Sequence, residues 1–255
     1  MKNYSFIGPM LAVILPFLLF ECLHKGIFLD PSFVMPKGHF YIVSLVAIMA
    51  TIIAIAVGIV GNRIRNIKVT FLSLSFISLA QMFSVHGLST PNFMLHANHL
   101  PGIASQLSII LATFWLWLSS LSSDNKFVET LARLQSKLVP GWTLTLTVFA
   151  ILGMSFPHVV EFIPLNMAPL NWILTIVTIF LNMVTMYRYY QSYRFSRFPL
   201  QMSIVYSSGW LIVSQLIMIL GDMWRLSWWI YHILLLASMV VMLTGLIKQY
   251  SAKGT

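Results

Sequence analysis

The sequence predicts an all-α, polytopic membrane protein: a bundle of about eight transmembrane helices with both termini cytoplasmic. Three observations carry this expectation. The chain of 255 residues is 58% hydrophobic and only 8% charged, whereas a soluble domain carries about 25% charged residues. So little charge cannot cover a water-facing surface. Several apolar runs reach the roughly 20 residues that a helix needs to cross the hydrocarbon core. Those runs are continuous and rich in Leu, Ile, Met and Ala, not alternating in polarity as the strands of a membrane barrel would be. The single cysteine, Cys22, excludes an intrachain disulfide and a thiolate metal cluster. Residues 1–255 read as one integral membrane domain.

The elements follow in order. The opening MKNYSFIGPMLAVILPFLLF lacks a small-residue cleavage site, and Glu21, Cys22 and His24 come directly after it. It is expected to be a retained span, 6–28, and not a cleaved signal. Further spans are expected at 39–61, 68–88, 101–121, 141–160, 168–190, 200–220 and 227–247. Short links join the last three, so they should be antiparallel neighbours. In segment 122–140, Phe127, Leu131, Leu134 and Leu138 recur at helical spacing with Lys126, Arg133 and Lys137 between them. That pattern suits an amphipathic helix on the inner leaflet, or equally a solvated linker helix.

The loops set the orientation. Lys2, Arg63, Arg65, Lys68, Lys126, Arg133, Lys137, Arg188, Arg194, Arg197, Lys248 and Lys253 all fall on one side of the eight-span map. Only Lys25, Lys37 and Arg225 fall on the other. The positive-inside rule makes the first side cytoplasmic. It also explains the net charge of +9 without nucleic acid, which is not an expected partner. The partner that the composition requires is the lipid bilayer. Asp222 and Arg225, in the last outer turn, are expected to form an ion pair.

On this map all seven histidines lie in the outer half. His39 begins span two, His86 ends span three, and His232 lies about 8 Å into span eight at 1.5 Å per residue. His232 sits below an aromatic girdle of Trp224, Trp228, Trp229 and Tyr231. Three imidazoles at similar depth on three helices suit a metal site, because neutral imidazole binds zinc, copper, iron and nickel. Two of them facing across a porphyrin would instead hold a haem. Glu21 and His24 share a face of span one. A carboxylate placed a turn inside a span is costly and marks function by default, so Glu21 is a candidate ligand or orienting group, the alternative being a rim pair with Lys25. His96 and His99 are secondary candidates in the outer loop, and His158 reads as an interfacial residue. In HGLSTPN, residues 86–92, Gly87 and Pro91 are expected to end the helix, with Ser89 and Thr90 satisfying its last carbonyls.

From about Pro36 to the C-terminus the chain resembles, in patches, the multi-span membrane sensor module found ahead of nucleotide cyclase or histidine kinase domains in some bacteria. The motifs that carry the likeness are Pro36 with His39–Phe40, then His86-Gly87-Leu88-Ser89-Thr90-Pro91, then Trp228-Trp229-Ile230-Tyr231-His232. The resemblance implies that His39, His86 and His232 belong to one site and that the chain lies in a bacterial cytoplasmic membrane. Asn92 departs from the small residue usual there. The chain ends at KQYSAKGT with no output domain, so a sensor would signal through a cytoplasmic or membrane partner.

Two function classes remain open on the residues. One is a sensor or receptor binding a metal ion (zinc or copper) or haem b at the outer histidine cluster. The other is an intramembrane metal-dependent enzyme, a zinc hydrolase or a haem or copper redox protein, in which Glu21 would be the general base. Coupled transport has little support, because no mid-membrane charge pair is present.

Overall fold

A computed structural model describes residues 6–91, 93, 99–160, 162–165 and 167–251. These residues form helices and no strand; the only β-type pairing among them is an isolated bridge between Ser32 and Arg225. Eight helices are long and apolar enough to cross a membrane, and each coincides with an expected span. They are α1 (Ile7–His24), α2 (Pro36–Arg63), α3 (Ile67–Leu88), α4 (Leu100–Ser120), α6 (Gln135–Ser155), α8 (Leu170–Ser196), α9 (Pro199–Leu220) and α10 (Leu226–Ser251). Two short helices, α5 (Lys126–Ala132) and α7 (Pro157–Val160), lie between them.

The largest departure from the expected spans is at the fifth. The helix starts at Gln135, not 141, because Pro140 is accommodated inside α6 instead of marking its start. It stops at Ser155 because Phe156 (φ −134°, ψ 67°) precedes Pro157, and a residue before proline is pushed out of the helical region. Segment 122–140 is therefore not one helix: α5 ends at Ala132, and Lys137 and Leu138 belong to the start of α6.

The chain's contacts group into two compact units. In the unit of residues 36–178, α3 is the central helix, packed on α2, α4 and α6. It is buried nearly all round, from Thr70 through Phe71, Leu74 and Leu79 to Gly87. A three-residue link turns α2 into α3. Arg65 takes φ 49° there, and the Asn66 side chain caps α3 by accepting from the Lys68 and Val69 amides. Lipid supplies no hydrophobic drive between helices, so close packing and interhelical hydrogen bonds must hold them. The Ser73 hydroxyl donates to the Ala54 carbonyl at 2.9 Å, and a Cβ on Gly58 would come within 2.9 Å of Ser73 Oγ. The Ser75 hydroxyl donates to the Ala112 carbonyl at 2.7 Å, tying α3 to α4. The Trp142 indole donates to Ser78 Oγ at 2.8 Å, tying α6 to α3. Phe71, Leu74, Trp115 and Leu118 fill one core cluster; Met82, Val85, Leu100 and Ile103 fill another.

In the unit that combines residues 6–35 with 179–251, α1, α9 and α10 pack on one another. Met186 and Tyr190 of α8 rest on Val205 of α9, and the Trp210 indole donates to the Ala12 carbonyl at 3.0 Å. The segment after α1 is strapped to the α9–α10 turn. The Phe33 amide donates to the Trp224 carbonyl at 2.7 Å, and the Leu226 amide to the Pro31 carbonyl at 3.0 Å. The Asp30 carboxylate accepts from the Ser227 amide at 2.9 Å and from the Ser227 hydroxyl at 2.7 Å. Asp30 thereby caps α10 from 197 residues away. The expected Asp222–Arg225 ion pair is absent among the described residues. The Arg225 guanidinium instead donates to the Asp30 carbonyl at 3.0 Å, because the strap brings a carbonyl of a distant loop within its reach.

Loss of a side-chain cap costs about 1 kcal/mol. Asp30→Ala is therefore expected to lower the unfolding midpoint measurably in an SDS titration of the full chain, while Asp222→Ala leaves it within error.

Candidate metal centre

His39 is the fourth residue of α2 and His86 lies in the last turn of α3. The short link at 64–66 makes these helices antiparallel neighbours, so the start of α2 lies beside the end of α3. Gly87 allows the close approach: a Cβ there would meet Val43 Cγ1 at 3.0 Å. It lies inside α3 and does not end it, a correction to the expectation; the helix runs to Leu88 and Ser89 caps it. The expected satisfaction of the last carbonyls is present. Ser89 Oγ donates to the Val85 carbonyl at 2.6 Å and Thr90 Oγ1 to the Gly87 carbonyl at 2.7 Å.

The contacts of the two Nδ1 atoms favour one tautomer for each imidazole. His86 Nδ1 lies 2.8 Å from the Pro101 carbonyl. A carbonyl only accepts, so Nδ1 carries the hydrogen. His39 Nδ1 lies 2.9 Å from Thr90 Oγ1. The one hydrogen of that hydroxyl is already given to Gly87, so Oγ1 accepts and His39 Nδ1 also carries the hydrogen. A neutral imidazole has a single N–H. Both Nε2 atoms therefore present lone pairs, and they lie 3.0 Å apart with the rings at 84° to each other. Both rings are almost fully buried, at 2% and 4% exposure. Facing lone pairs repel. A cation shared by the two nitrogens, whether a metal ion or one additional proton, converts that repulsion into binding. The N–H to carbonyl or hydroxyl contact on the far side of each ring is the usual support of a metal-ligating histidine.

His232 lies in the second turn of α10 and is fully buried. Its ring packs against its own helix's aromatics, 4.6 Å from Trp228, 5.2 Å from Trp229 and 3.8 Å from Tyr231 between centroids. The expected girdle is only partly lipid-facing, since Trp228 and Tyr231 are themselves buried. Within the unit of residues 36–178, His39 and His86 are two buried imidazoles whose Nε2 atoms are close enough to share a metal ion.

The other candidates have different surroundings. Glu21 forms an ion pair with Lys25 at 2.7 Å; its hydrogen bond to the lysine raises the ammonium above the ordinary lysine value. His24 is exposed and stacks on Phe20 at 5.2 Å. His99 is exposed at the N-cap of α4 and makes no side-chain capping bond. His158, on α7, is exposed beside Phe156. His96 lies outside the described residues. Thr90 and the Pro101 carbonyl, which set the tautomers, were not among the expected site groups. The Thr in the HGLST run was the available signal for the first.

No family model, curated protein or solved structure matches the chain.

In metal-free protein, 15N spectra of labelled histidine should show His39 and His86 as Nδ1–H tautomers. Thr90→Val removes the acceptor while keeping the side-chain shape, so it should shift the His39 signal toward the Nε2–H form and leave His86 unchanged.

Proposed function

We propose that the protein is a metal-binding membrane receptor, with His39, His86 and His232 as ligands, that signals through a partner. The observation that carries this reading is the pair of Nε2 lone pairs facing each other at 3.0 Å, each backed by a hydrogen bond from Nδ1. His232 joins as the third ligand because it is a buried imidazole, a rare residue at membrane depth, in the outer turns of the last span, where the WW.YH motif placed it. The charge distribution supports an outer location for the centre, with the basic links facing the cytoplasm.

The spacing favours one small ion. Zinc–nitrogen bonds of about 2.0–2.1 Å at a tetrahedral angle put two ligand nitrogens about 3.3 Å apart, a few tenths of an ångström from the separation here. A porphyrin between the same two rings would need a separation of about 4 Å along one axis, with both rings turned to face it. Zinc or copper is thus the better fit to this pair than haem b. The ion would supply a fixed positive charge joining helices that otherwise rely on packing. Binding changes the balance between two arrangements only if the ion prefers one of them. The enzyme reading gains nothing from Glu21, whose carboxylate is engaged by Lys25.

The test is to purify the full chain in mild detergent, measure its metal content, and titrate zinc and Cu(I) into chelated protein. About one ion per chain is expected. His39→Ala, His86→Ala and His232→Ala should each weaken binding at least tenfold, whereas His24→Ala, His99→Ala and His158→Ala should not. Affinity should fall as pH falls, because the ion and protons compete for the same nitrogens. For the receptor step, hydrogen exchange in the links at 64–66 and 121–134 should change on metal addition; unchanged exchange would leave a binding protein without a signalling role. Absence of bound metal, with all six variants alike, would refute the centre.

A further inference from the structure

A second site lies within the unit of residues 36–178, away from the histidines. α2 and α6 both pack on α3 and leave a cleft of about 530 Å³ between them. Its floor is α3, from Thr70 to Gln81, and its walls include Ile55 and Ile59 of α2 and Val139 and Thr143 of α6. The eleven steps along α3 from Thr70 to Gln81, at 1.5 Å each, give it a length of about 16 Å. The exposure of Thr51, Ile55 and Ile59 leaves it open sideways, toward lipid.

The polar groups of this cleft are specific. At one end the Gln135 amide donates to the Gly61 carbonyl at 3.2 Å and to Thr70 Oγ1 at 2.9 Å. At the other end Gln81 Nε2 donates to Thr147 Oγ1 at 3.1 Å, and the Thr147 hydroxyl donates onward to the Thr143 carbonyl at 2.8 Å. That chain fixes the Gln81 amide: reversed, its oxygen would face a hydroxyl whose hydrogen is already used. Gln81 Oε1 is therefore an acceptor, buried and without a hydrogen-bond partner, on a residue that lines the cleft. A buried acceptor at membrane depth calls for a donor. None of the lining residues is charged, so nothing there would hold a carboxylate or phosphate head.

We propose that this cleft binds a neutral, membrane-soluble amphiphile whose hydroxyl donates to Gln81 Oε1 and whose hydrocarbon part lies against Ile55, Ile59 and Val139. A long-chain alcohol and a prenylated hydroquinone share this chemistry. The site does not depend on the metal centre, and His39→Ala leaves it intact.

The test is photolabelling of the full chain in nanodiscs with a diazirine-bearing long-chain alcohol. Label is expected in peptides covering 51–62 and 139–143. Unlabelled hexadecanol and a prenylated hydroquinone serve as separate competitors, and whichever displaces the probe at lower concentration identifies the source. Their methyl ethers, which lack the donor, should compete at least tenfold more weakly. Gln81→Leu should reduce labelling at least tenfold. Thr143→Trp, which fills the cleft while keeping the Gln81 amide, should do the same. Competition by ethers equal to that by alcohols, labelling unaffected by both substitutions, or no label in the cleft peptides would each overturn the proposal.

Discussion

The arrangement turns on the ends of two helices. An α-helix leaves its last carbonyls without intrahelical donors, and in an apolar surrounding each needs a partner. Thr90 gives its hydroxyl hydrogen to the Gly87 carbonyl, and that single choice converts its oxygen into an acceptor for His39. The Pro101 carbonyl, in the first turn of α4, accepts from His86. The backbone thus decides which nitrogen of each ring is protonated. The histidines sit at helix ends, where the Thr90 hydroxyl and the Pro101 carbonyl lie within reach of their Nδ1 atoms.

α3 serves several purposes through one pattern. Thr70, Ser73, Ser75 and Ser78 are buried, and each meets a neighbouring element or its own helix. Ser73 and Ser75 hold α2 and α4, Ser78 holds the Trp142 indole, and Thr70 takes the Gln135 amide. At these positions small side chains let the neighbouring helices approach, between the larger Phe71, Leu74 and Met82 that fill the core. The same closeness brings His39 against His86 at one end. Where α2 and α6 diverge, it leaves a cleft floored by Thr70, Ser73, Ile77, Ala80 and Gln81.

The sequence made the fold legible to the extent that hydropathy determines it. Eight apolar runs give eight long helices, since a continuous apolar run of that length has no other stable form in lipid. The association of His39 with His86 was also within reach: one residue opens a span, the other closes the next, and a three-residue link forces the two ends together. What hydropathy could not show were contacts between loops distant in sequence. The Asp30 cap on Ser227 joins residues that no local pattern connects, and the Arg225 partner is a carbonyl, not the nearby Asp222. The start of α6 escaped because Gln135, Ser136 and Lys137 precede the apolar run, and the helix takes up Pro140 near its beginning. Gln81 carries no local sequence signal; only the Thr147–Thr143 chain reveals which of its two amide atoms is left over.

The donor set narrows the chemistry further. The pair offers nitrogen only; the single cysteine, Cys22, lies on α1 beside Glu21, and that carboxylate is engaged by Lys25. Hard cations such as magnesium and calcium require oxygen ligands, so an imidazole pair selects against them. Among borderline metals, affinity alone would favour copper over zinc. What opposes that order here is rigidity: rings held by a carbonyl and a hydroxyl cannot swing into a square-planar set. A tetrahedral or trigonal ion asks only for a small widening of the Nε2 separation, which the last turn of α3 and the first turn of α2 can supply by rotation about the side-chain bonds. On the proposed metal-binding reading, a preference for such an ion would come from the same hydrogen bonds that turn the two lone pairs toward each other.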